Sequence, residues 1–156
     1  MPPFFQLIGV EMQTKALLSE QHVSQMLSTA KDLAHRRKWP VAICVVDDGG
    51  HPLGLLRLDN TAPIAGYIAT EKARTAALGR RDSKVYEDMI NGGRQAFISA
   101  PNLKGMLEGG VAIWYEGHCI GAIGVSGVKA EEDAELARLV VDALLQTAVD
   151  HPVAGE

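Results

Sequence analysis

The run VAICVVD, residues 41–47, is β-branched and apolar at positions that would point to both faces of a strand. A strand of that kind belongs in the interior of a sheet with cover on both sides. It is followed by the turn Asp48-Gly49-Gly50, and Leu53 to Asp59 returns as a second strand. A second pair of strands follows the same plan, with VAIWY (111–115), a Glu116-Gly117 turn, and HCIGAIGV (118–125).

Helical patterns separate and flank these pairs. Ser19 reads as an N-cap before Val23, Met26, Leu27, Ala30, Leu33 and Ala34, and that helix ends near Trp39-Pro40. Pro63 opens a helix running to about Gly79. Leu136, Leu139, Val140, Ala143, Leu144 and Ala148 make one stripe of a last helix, whose first turn carries Glu131, Glu132 and Asp133. Residues 82–108 read as short helical turns and loops, and Gln6 to Leu18 as an added edge strand. The expected fold is α+β: an antiparallel sheet of about five strands flanked by helices, in one domain spanning residues 1–156.

Charge and cysteine usage narrow the function classes. Net charge is −4 and the basic residues are scattered apart from HRRK at 35–38, so no footprint for nucleic acid or an anionic membrane is present. No apolar run approaches the roughly 20 residues of a membrane span, and MPPFFQLIGVEM lacks the basic start of a signal peptide. Cys44 and Cys119 each lie in an apolar strand run, which favours small core thiols in a reducing compartment over a pair across the sheet. The expected location is cytoplasmic.

Three stretches carry candidate chemistry. GAIGVSG places Gly121, Gly124 and Gly127 three apart, but a dinucleotide loop needs GxGxxG opening a helix without the acidic first turn found here. Those glycines either admit a helix or another subunit close to the strand, or line a pocket with bare backbone. On the central helix Ala65, Ile68, Ala69, Lys72, Thr75, Ala76 and Gly79 share one small-residue face. Lys72 in its middle is either a lysine that snorkels out or pairs with Glu71 or Glu108, or a recessed cation for a ligand's anionic group with Thr75 beside it. In the first hairpin, alternation puts His51, Leu53, Leu55, Arg57 and Asp59 on one face. His22, His51 and His118 are single candidates for metal or haem ligation; no HExxH, EF-hand or nucleophile–base set accompanies them.

Taken in order, VVDDGGHPLGLLRLDN, ATEKARTAALGR and GGVAIWYEGHCIGAIGVSGVKAEEDAELA resemble the GlcG/HbpS-like family. That family is labelled haem-degrading or haem-binding, and its domain also occurs in PduO-type corrinoid adenosyltransferases. The likeness runs from about Leu17 to Leu144. It implies a profilin-like antiparallel sheet flanked by helices, a homo-oligomer (a dimer or larger, up to an octamer) and haem as a candidate ligand. The pocket residues it implies are Asp47, Gly50, Arg57 and Asp59, then Lys72 and Thr75, then Gly109, Gly110, Gly124, Ser126 and Gly127, with Asp133 as the acidic position. Ala112 and RLDNT depart from the family's usual residues beside that pocket. Aromatics are only 5% of the chain and no CxxCH is present, so a buried porphyrin slot is not evident, while a shallow site at a subunit interface would leave little trace in the sequence.

Two functions follow. One is a small-ligand-binding protein with haem, or a related tetrapyrrole, as the ligand. The other is an enzyme or accessory protein of small-molecule catabolism acting on a small carboxylate or enol metabolite. In that case Lys72 and Arg57 hold the anion, and Asp59 or Asp133 handles a proton.

Overall fold

In the computed structural model the chain is described over residues 9–150. Helix α1 (Glu20–Arg37) begins at Ser19, whose hydroxyl accepts from His22 N while His22 Nδ1 accepts from Ser19 N. The two bonds close a capping box with histidine in the place usually held by Glu or Gln. His35, Arg36 and Arg37 fill the last turn, where the helix dipole favours cations. Lys38, in left-handed conformation, ends the helix two residues before Pro40.

Strands β1 (Ala42–Asp47), β2 (Pro52–Arg57), β3 (Gly110–Tyr115) and β4 (His118–Ser126) form one antiparallel sheet in the order β2-β1-β4-β3. β1 is buried from Ala42 through Val46, as its two-faced apolar pattern requires. The sheet has four strands where about five were expected. Residues 9–18 contain no strand, and residues 6–8 of the expected edge strand lie outside the described residues. The reason is packing: Leu18 lies over Gly121 of β4, and Lys15 pairs with Asp48 in the β1–β2 turn. The segment is therefore drawn across a sheet face instead of along an edge.

The two faces are covered differently. Helix α2 (Ile64–Gly79) lies on one, where Ala65, Ala69, Ala73, Ala76 and Ala77 meet Ala42, Cys44, Val46 and Ala122. α1 and helix α4 (Ala130–Asp150) cover the other through Val23, Met26, Ile43, Val45, Ile113, Ile123, Leu136 and Val140. Residues 82–108 are more regular than expected. They hold helix α3 (Ser83–Asn91) and a 3₁₀ turn (Gln95–Ser99), joined by Tyr86 against Phe97 at 5.3 Å between ring centroids. α3 also closes the β3 edge, because Asp82 Oδ1 accepts from Ala112 N at 3.1 Å and Ser83 Oγ accepts from Gly110 N at 2.8 Å. Among the described residues no helix is long and apolar enough to cross a membrane.

Candidate functional site

Lys72 is 3% exposed. Its ammonium donates to Val125 O at 3.0 Å and to Asp133 Oδ2 at 3.1 Å. Asp133 Oδ1 in turn accepts from Val128 N at 3.2 Å, so one carboxylate ties α2 to the start of α4. The partner comes neither from Glu71, which pairs with Arg74, nor from Glu108. Burial pushes the Asp133 carboxyl above the usual carboxylate range, against the pull of Lys72 and the Val128 N–H. Thr75 is fully buried and accepts from Gly105 N at 3.2 Å.

The glycines around this pair are places of close approach. A methyl group at Gly124 would overlap the carbonyl oxygen of Ala69, and one at Gly110 would overlap that of Lys72. Gly109 has φ +135°, and a Cβ there would sit 2.7 Å from Lys72 Nζ. Gly127 lies against Pro40 in the same manner. Ser126, at the end of β4, is buried beside Ala42. Lys72, Asp133, Gly109, Gly110 and Gly124 are thus brought together, with the α2 backbone filling the space between them.

The first hairpin stands apart. Asp47 Oδ1 accepts from Gly49 N at 2.9 Å and His51 N at 3.0 Å, which fixes the turn, and Gly50 takes φ +77° within it. Arg57 is exposed on β2, two strands from Ser126, with Ala42 between them. Asp59 borders a hollow of about 340 Å³ with His35, Lys38, Trp39 and Asn60. Arg57 and Asp59 are therefore not gathered with Lys72. Cys44 and Cys119 are free and buried, and burial pushes the Cys44 thiol up, away from the reactive thiolate.

His51 is exposed in the turn and His118 is half-buried at the start of β4. His22 borders a recess of about 250 Å³ walled by Leu17, Leu18, Tyr115, Ile120, Leu144 and Leu145. A second hollow of like volume shares His22, Leu144 and Ala148 with it and adds Gln21, Gln25 and Thr147. The sequence reading did not find Tyr115 or Ile120. Tyr115 follows four residues that read only as core strand, and nothing in its spacing links it to His22. Among the described residues no group of three or more His, Cys, Asp or Glu side chains gathers as a metal centre.

Comparison with known proteins places the chain. Residues 18–142 match the family model described as "Haem degrading protein HbpS-like". The chain belongs to the HbpS-like family. Protein GlcG of Escherichia coli K12 is 54% identical over 115 residues, 74% of this chain and 85% of that protein. The corrinoid adenosyltransferase PduO of Salmonella typhimurium is 26% identical over 134 residues, and this chain spans 40% of its length. Among solved structures, the PduOC:heme complex superposes with a TM-score of 0.75 at 26% identity, covering 82% of this chain and 95% of that one. HbpS superposes at 0.77 with 24% identity, covering 86% and 94%, and shares the fold of this family member.

Proposed function

We propose that this chain is a small-ligand-binding protein whose ligand is haem, acting as a cytoplasmic homo-oligomer. The observation that carries the reading is the apolar recess with His22 on its rim, in a member of a family described as haem-degrading. A relative of the same fold, the PduOC domain, was solved as a heme complex.

The residues fit the group in kind. Haem iron takes axial ligands such as His and Tyr, and the ring needs apolar walls. Leu17, Leu18, Ile120, Leu144 and Leu145 supply the walls, and His22 and Tyr115 the donors. In size, one hollow of about 250 Å³ lies just below the roughly 300 Å³ at which ligand sites begin, and a neighbour of like volume shares part of its lining. In the cap His22 Nδ1 accepts from Ser19 N, which leaves the proton on Nε2; holding a metal from Nε2 takes the other tautomer, in which Nδ1 gives up that bond and donates to Ser19 Oγ, 3.0 Å away. His22 would hold the group from Nε2 and Ser19 would orient the ring. Bound haem would supply the redox chemistry of its iron, while the chain's part is to bind it, orient it and shield one face.

Titration of the purified protein with haemin tests this. A saturable Soret band at one haem per chain is expected, lost in His22→Ala and retained in His51→Ala and His118→Ala. A featureless, non-saturating titration overturns the reading.

The buried Lys72–Asp133 pair favours a second reading, an enzyme acting on a small carboxylate, since charged pairs held away from water often mark reaction centres. A panel of small hydroxy and oxo acids tests it. Turnover abolished by Lys72→Ala in protein that still folds supports it, and turnover unchanged in that variant rejects it.

A further inference from the structure

The recess with His22 on its rim is one of two hollows that meet, and their linings differ in chemistry. His22, Leu144 and Ala148 border both, so His22 stands where they join. On one side the lining is Ala16, Leu17, Leu18, Ile120 and Leu145, with Tyr115 as the other polar side chain. On the other side it is Gln21, Gln25 and Thr147, which are polar and neutral. Gln25 bridges α1 to α4, its Nε2 donating to Thr147 Oγ1 at 3.3 Å, and the Thr147 hydroxyl donates to Ala143 O at 3.0 Å. That bond uses one N–H of the Gln25 amide, and Gln25 is exposed, so the other N–H is open to a bound molecule.

No lysine or arginine lines either hollow among the described residues. Lys15, next to the Ala16–Leu18 wall, is held by Asp48. Residues 1–8 and 151–156 contain neither lysine nor arginine. An anionic group is therefore met here by amide and hydroxyl donors and by water, without a cation to neutralise it.

Haem has a matching division. Its iron is central, one edge carries methyl and vinyl groups, and the opposite edge carries the propionates. An iron held by His22 at the junction lays one edge over each hollow. A propionate set against Leu17, Leu18 and Ile120 would lose its water with nothing to pair it, at a large desolvation cost. On the glutamine side the exposed amides can donate to it while water keeps access.

We infer that Gln25, with Gln21 and Thr147, forms the subsite for the propionates of a bound tetrapyrrole and so fixes which way round the ring is seated. Resting on the reading of the recess as a haem site, this adds an orientation and a class of accepted ring, one whose carboxylates lie on a single edge. Gln25 is a positioning residue: it directs an N–H at the propionate and leaves the iron to His22.

Titrations with haemin and with its dimethyl ester, whose propionates are uncharged, test this on wild type, Gln25→Glu and Gln25→Lys. Gln25→Glu sets a carboxylate against the propionates and is expected to weaken haemin binding about fivefold, the weight of two unit charges about 4 Å apart in water. Gln25→Lys is expected to strengthen it by a similar factor. Neither change should alter the affinity for the ester. Iron uroporphyrin, with carboxylates on every edge, is expected to leave bound haemin in place, and its displacing haemin overturns the inference. Saturable haemin binding that ignores the charge at position 25 overturns the subsite and leaves the ligand assignment standing. Equal shifts for haemin and ester also overturn it, since they trace the effect to the Gln25–Thr147 bridge between helices. A wild type that takes up no haemin overturns the ligand assignment, and the subsite with it.

Discussion

Lys72, in the third turn of α2, reaches Asp133 of α4 across 3.1 Å, and the two side chains are 4% and 2% exposed. The bond joins the alanine-covered face of the sheet to the helix packed on the opposite face. Removing one partner strands a buried charge, whereas replacing both by apolar groups removes the desolvation cost along with the attraction. Lys72→Met is expected to lose about 3–5 kcal/mol of stability. The double variant Lys72→Met/Asp133→Leu should regain most of it. Urea denaturation checks both, and a neutral single variant would contradict the ion pair as drawn.

The contact between α2 and the sheet gives a paired prediction. Gly124→Ala forces a methyl group into the Ala69 carbonyl oxygen and is expected to cost at least about 1–3 kcal/mol. Gly66 sits in the same helix with open space at its Cβ position. Gly66→Ala is expected to stabilise by up to about 1 kcal/mol, the ordinary helix propensity difference. Thermal melts of the two variants should move in opposite directions.

Ser19 serves the α1 cap and lies beside the ring of His22. Ser19→Ala is expected to cost about 1 kcal/mol of stability. If His22 holds haem, the same change also weakens haemin binding, because the ring loses its orienting hydroxyl. Stability lost with unaltered haemin affinity would separate the cap from the site.

The hydrogen bond from Lys15 holds the Asp48 carboxyl below the usual carboxylate range. A carboxylate lowered on folding contributes stability that is present above its unfolded pKa of about 3.9 and is lost as pH falls through the folded value. Carbon NMR titration should find Asp48 titrating low in the wild type and closer to an ordinary aspartate in Lys15→Met. Acidification should also expose residues 9–18 to proteases earlier than the rest of the chain.

Much of the fold was readable because local signals agreed with their surroundings. β1 is apolar toward both faces and lies between two other strands, and the Ser19 cap and Glu116-Gly117 turn stand where the sequence puts them. Gln6–Leu18 misled because its apolar residues do pack, as Leu18 does over Gly121, but as a crossing segment without strand pairing. The candidate sites were less legible. Lys72 finds its partner 61 positions away, closer residues of the same charge type being turned elsewhere. The recess draws on residues 16–18, His22, Tyr115, Ile120 and the end of α4, and no single stretch records that they meet.

The alanine layer under α2 makes the sheet unequal in its tolerance of change. On that face a single added carbon presses on main chain, which has nowhere to turn. On the face beneath α1 and α4 the fillers are leucine, valine, isoleucine and methionine, whose side chains can trade volume among themselves. The recess at His22 opens on this accommodating side. Substitutions lining the recess should therefore be absorbed more readily than substitutions under α2, so the shape of the recess can change while the opposite face stays fixed.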